Sequence, residues 1–142
     1  HDDTSSIMLS VAMEKYFRNE ERVTIDVQPS RFWYYTFGKC LIGSTHGDTA
    51  KPEKLPGIMA ADKPKEWGDA EYRYWYTGHI HNKQAMEFPG VIWESFRTLA
   101  GKDAWHSGAG YRSGRDMSCI IHHTEYGEIG RNTASLKLVR SA

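Results

Sequence analysis

The sequence predicts an α/β fold, and three observations carry that prediction. Leu9, Ala12, Met13, Tyr16 and Phe17 recur at helical spacing, placing an amphipathic helix near the start. Short apolar and aromatic runs bounded by Gly and Pro, such as residues 40–42 and 72–77, read as buried strands. Small polar segments, residues 43–48 and 78–81, follow two of those strands, and functional sites concentrate on such loops in α/β sheets.

The elements follow in chain order. The first helix is expected between Asp3 and about Arg18, with the polar residues 3–6 offering several N-cap choices. Val23, Ile25 and Val27 alternate with Thr24, Asp26 and Gln28 as in a half-buried strand closed by Pro29. Residues 31–37 and 40–42, split by Gly38 and Lys39, predict two hairpin-linked strands. Residues 49–70 read as a loop, one helix over 55–61 and a second loop. After the strand at 72–77, residues 84–88 and 91–96 form a hairpin around Pro89-Gly90. Residues 102–107 suggest one helical turn and 108–114 a glycine-rich loop. Strands are then expected at 117–122 and 135–139, with a turn over 126–132.

Composition narrows the class. A chain of 142 residues with 39% apolar, 13% aromatic and 25% charged residues can bury one core, so a single domain spanning 1–142 is expected. Eighteen basic residues balance eighteen acidic ones, so any contact with a polyanion must be local. No apolar run reaches the ~20 residues a bilayer span needs, and no export signal opens the chain; no membrane partner and a cytoplasmic location are the expectation. Cys40 and Cys119 lie far apart in apolar surroundings and read as buried free thiols.

Histidine carries the chemical signal. In His79-Ile80-His81, side chains two apart on an extended segment point the same way, so both imidazoles can face one cavity, each reaching a metal at ~2.0–2.1 Å. His46, flanked by small residues at another strand end, supplies a third imidazole. Neutral imidazoles suit Mn, Fe or Zn better than Mg or Ca. Elsewhere, His122 and His123 read as strand packing and His106 as a loop histidine. Tyr111, Arg112 and Arg115 read as a solvated glycine-rich loop, with the alternative of a ring to stack on a base and guanidinium forks for phosphate. Lys51, Lys54, Lys63 and Lys65, among acidic neighbours, read as a solvated surface.

The succession His1-Asp2, Ser44-Thr45-His46-Gly47-Asp48 and Gly78-His79-Ile80-His81 resembles the last three motifs of the calcineurin-like metallophosphoesterase family: the tail of GNH followed by Asp or Glu, a lone His followed by Gly, and GHxH. The last is the most specific. The resemblance implies half of a four-layer α/β/β/α sandwich with mixed sheets and a phosphoester hydrolase with two divalent metal ions, Mn, Fe or Zn. Those ions would sit ~3.5–4 Å apart and clamp a phosphate for in-line attack. It further implies His46 and His79 on one metal and His81 on the other. His1 would act catalytically on the phosphate or leaving group, with Asp2 orienting its ring.

The departures matter as much. The GDxH and GDxxD motifs, whose carboxylates hold and bridge the metals in this family, are absent, as is the Asn before His1. The expectation is therefore the C-terminal part of a larger domain, weakly active or inactive alone, that self-associates or pairs with an N-terminal half to cover its sheet edge. The substrate is a phosphoester, with nucleic acid the favoured kind. A noncatalytic scaffold or protein-binding domain on the same fold is the alternative.

Overall fold

The computed structural model describes residues 3–100 and 114–141. Contacts divide the chain into two compact units, His1–Arg31 and Phe32–Ala142.

In the first unit, helix α1 spans Asp3–Phe17 as the spacing predicts. Glu20 N–H to Phe17 carbonyl (2.8 Å) and Val23 N–H to Glu20 carbonyl (3.0 Å) turn the chain after it. Residues 23–30 are not a strand, contrary to their alternation. The pattern records which side chains prefer cover, but a strand also needs a neighbour to complete its ladder, and among the described residues of this unit no strand is present to pair with it.

The second unit is built on a mixed sheet. Strands β1 (Trp33–Phe37) and β2 (Cys40–Thr45) form the expected hairpin. A 3₁₀ turn (Pro52–Lys54) and helices α2 (Leu55–Asp62) and α3 (Pro64–Asp69) lead to β3 (Tyr72–Thr77). Sequence reading expects one helix here; Pro64 starts the second, since proline suits a first helical position. Strands β4 (Gln84–Phe88) and β5 (Val91–Ser95) complete a sheet of order β1-β2-β3-β5-β4, parallel at β2-β3-β5 and antiparallel at both edges.

Strand parity sets the two faces. Leu41, Trp75, Val91 and Trp93 pack with Leu55 and Met59 of α2, every one of them at most 3% exposed. The Trp75 indole N–H donates to the Leu55 carbonyl at 2.9 Å, tying helix to sheet. Gly43 lets α2 approach, because a Cβ there would stand 2.8 Å from both Met59 and Trp75.

The opposite face carries the antiparallel pair β6 (Asp116–His123) and β7 (Gly127–Ser135), with a bulge between Ile121 and His122. This corrects the expectation of a turn over 126–132 and a strand over 135–139. The turn is confined to residues 124–126, and Ser135, whose hydroxyl accepts the Leu138 N–H at 3.3 Å, stands at the head of helix α4 (Leu136–Ser141). What holds β7 extended is tertiary. Arg131 forks onto the Glu94 carboxylate at 2.7 and 2.9 Å, and the Glu128 N–H donates to the Tyr74 hydroxyl at 2.8 Å. Cys40 is buried as expected, but Cys119 is exposed, because alternation along β6 turns it away from the sheet. Among the described residues no helix is long and apolar enough to cross a membrane.

Candidate metal site

The two histidine-bearing loops leave neighbouring parallel strands at matching heights, since Thr45 of β2 is in register with Thr77 of β3. They are then joined directly. The Gly78 N–H donates to the His46 carbonyl at 3.0 Å, and Gly47, at φ 106°, packs so closely that a Cβ would meet the Gly78 carbonyl and the Thr77 Cβ at 3.3 Å. The positive φ favours glycine there, and the close contacts leave little room for a side chain.

This junction brings two of the predicted residues together. His79 Nδ1 lies 3.1 Å from His46 Nε2, with ring centroids 5.0 Å apart and both rings exposed. The contact has the length of a hydrogen bond between the two rings, and two nitrogens on one cation at ~2.0–2.1 Å with tetrahedral or octahedral angles would stand at a similar roughly 2.9–3.4 Å. The pair supplies two donors. Among the described residues, no group of three or more His, Cys, Asp or Glu side chains gathers closely enough to hold a metal ion.

The segment bearing His79 and His81 is not extended, which corrects the geometric premise behind the His-x-His reading. Ile80 donates its N–H to the Gly78 carbonyl at 2.7 Å, a γ-turn centred on His79. His79 and His81 stand at φ 59° and 50°, the only positive values at non-glycine positions among the described residues. The ladder stops because both polar groups of Gly78 are engaged, the N–H by His46 and the carbonyl by Ile80 and by the Ser95 hydroxyl at 3.3 Å. Such conformations cost of order 1–3 kcal/mol each and concentrate at functional sites. His81, half-buried, therefore leaves the turn on a path that strand alternation does not describe.

His1, Asp2, His106, Tyr111 and Arg112 lie outside the described residues. Arg115 is described, and its guanidinium donates to the Leu99 carbonyl at 2.6 and 3.3 Å. Of the four lysines, Lys63 sits over the Tyr34 ring at 5.8 Å.

A second polar constellation escaped sequence reading. Tyr76 of β3 and His122 of β6 meet through the phenol oxygen and Nε2 at 2.9 Å. Burial pushes the Tyr76 hydroxyl well above the usual phenol range, with Glu128, Tyr74 and Glu94 adding to it, so it stays protonated. Burial likewise holds His122 below the usual imidazole value. The His122 Nδ1 and the Arg97 Nε, both buried atoms, have no hydrogen-bond partner among the described residues. The local signal was limited to period-two alternation placing Ile120 and His122 on one side of β6; nothing in it says which strand that side meets.

No protein-family model matches this chain, and no curated protein does either.

Proposed function

We propose that this chain forms part of a metal-dependent phosphoester hydrolase of the calcineurin-like metallophosphoesterase kind, on half of the four-layer sandwich with mixed sheets. The observation that supports it most is the 3.1 Å approach of His46 and His79 at adjacent parallel strand ends, on a backbone whose positive φ values mark the same loop. In this reading His46 and His79 hold one divalent ion, Mn, Fe or Zn, and His81 belongs to the second. When bound, such ions would neutralise the phosphate and lower the pKa of a water molecule. The chain's own contribution is positioning: the Gly78 and His46 backbones lock the loops together and hold the two imidazoles side by side. His1 is assigned to the phosphate or leaving group. Carboxylates in the GDxH and GDxxD pattern are not among residues 1–142, so the activity is proposed for an assembly that includes them.

Elemental analysis of the purified chain, beside a His79→Ala, His81→Ala double variant, tests this. Near-stoichiometric Mn, Fe or Zn in the wild type, lost in the variant, is expected. Equal metal in both, or none in either, would remove the metal-site reading. Alone with Mn, the chain is expected to turn over bis-p-nitrophenyl phosphate far below ordinary enzyme rates.

The second reading is a noncatalytic binding domain on the same scaffold, favoured by the missing carboxylate motifs. Catalysis by a complex of this chain with a polypeptide carrying GDxH and GDxxD would exclude it.

A further inference from the structure

On the hairpin-side face of the sheet lies a cleft of about 550 Å³ between β2–β3 and β6. Its volume is within the usual ~300–1,000 Å³ of small-molecule sites. Ile42, Phe96, Leu99 and Ile120 give it apolar walls. The Tyr76 and Phe96 rings, edge to face at 5.5 Å and 60°, add aromatic surface to the lining. Two buried polar atoms on this lining, the Arg97 Nε and the His122 Nδ1, have no partner among the described residues. Buried polar groups are ordinarily satisfied, so two of them in one cleft point to a ligand with a polar edge. Arg97 is already neutralised by Asp116 at 2.7 Å, so the cleft does not select an anion. Apolar and aromatic walls, unpartnered polar atoms and charge balance together fit a neutral heteroaromatic ring.

The cleft is close to the histidine pair. Tyr76 precedes His79 by three residues and Ile42 precedes His46 by four, so at ~3.3 Å per extended residue, shortened by the turn at His79, its floor begins within about 10–13 Å of the imidazoles. A nucleoside with its ring in the cleft can therefore direct its sugar toward the strand ends.

We propose that this cleft is a nucleobase-binding subsite, which makes the substrate a phosphoester carrying a nucleoside. The substrate assignment rests on the phosphoesterase reading; base binding does not, and the test separates them.

Adenosine is titrated into the chain in the presence of EDTA, followed by calorimetry and by amide chemical shifts. Binding in the range of about 0.1–1 mM is expected, as for a small ligand in a half-open site, with shifts at Tyr76, Phe96 and Ile120. Phe96→Ala should weaken it about tenfold or more through lost stacking. Arg97→Gln, a half-exposed position whose replacement spares the apolar packing, should weaken it severalfold and guards against a misfolded Phe96 variant. Indole should bind more weakly than adenosine, because it cannot satisfy both edge atoms. A short single-stranded oligonucleotide binding more tightly than adenosine would locate the base in a nucleic-acid strand, and equal affinity would locate it in a free nucleoside; either supports the subsite. No adenosine binding, binding unchanged in both variants, or ribose 5-phosphate binding as well as adenosine would overturn it. Because no metal is present, failure of the metal-content experiment leaves this outcome standing, and the reverse holds too.

Discussion

The two faces of the sheet are covered by different physics. Toward α2 the contact is a dry apolar core in which Trp75, Leu41, Leu55 and Met59 are essentially inaccessible. Toward β6–β7 it consists of directed polar contacts: the Glu94–Arg131 fork, the Tyr74–Glu128 and Tyr76–His122 hydrogen bonds, and the cleft they leave open. An apolar face tolerates any complementary volume, whereas a polar face fixes one register, because each donor must find its acceptor. The helix side is thus suited to supply stability, and the hairpin side to hold chemistry in place.

Substitutions sharpen or break that comparison, beginning with the largest effect. Trp75→Ala should cost about 3–5 kcal/mol by chemical denaturation, from lost burial and the cavity left behind. Arg131→Ala should cost about 2–4 kcal/mol, because it strands a carboxylate whose side chain is 3% exposed; the arginine's own 31% exposure trims the effect. Replacing Glu94 and Arg131 together by Leu and Met should cost less than Arg131→Ala alone. A double variant that costs the full sum would show that the fork stabilises the hairpin outright rather than fixing its placement. Tyr74→Phe, which leaves the Glu128 N–H without its acceptor, is expected near 1–2 kcal/mol, roughly the cost of an unmade buried hydrogen bond.

The smallest effect depends on pH. Burial lowers the folded pKa of His122 below its ordinary 6.5, so the unfolded chain binds the extra proton. Its contribution is complete above pH 6.5 and is lost as pH falls toward the folded value, with a slope of at most ~1.4 kcal/mol per pH unit. Glu128, held low chiefly by its hydrogen bonds from Arg131, acts in a separate window below its ordinary 4.5. In wild type minus His122→Gln stability profiles, a slope confined to the region below pH 6.5 is expected. A flat difference would mean His122 titrates as freely as in the unfolded chain.

Much of the fold was legible, for reasons that differ by element. The hairpins at Gly38 and at Pro89-Gly90 carry their own turn chemistry, and Tyr72–Thr77 has the aromatic density of a central strand. The polar stretch 126–132 reads locally as a turn, although most of it lies in β7, because its stabilising partners, Glu94 and Tyr74, are distant in sequence. Conversely, Val23, Ile25 and Val27 display a strand pattern that no neighbouring strand completes. At the candidate site, His46 and His79 were identifiable from the small residues around them and their position after strands. The γ-turn at His79 was not, since it follows from Gly78 being bonded at once by His46, Ile80 and Ser95.

By itself, then, the sequence determined the α/β class, the central strands, the chemical character of the histidine loops and the charge balance, because these depend on local pattern and residue type. Only the tertiary structure decided that His46 meets His79, that Tyr76 meets His122, and that Glu94 is neutralised by Arg131. Those pairings span 33, 46 and 37 residues. Their existence depends on strand order and register, quantities set by how the whole sheet closes its hydrogen bonds rather than by any single segment.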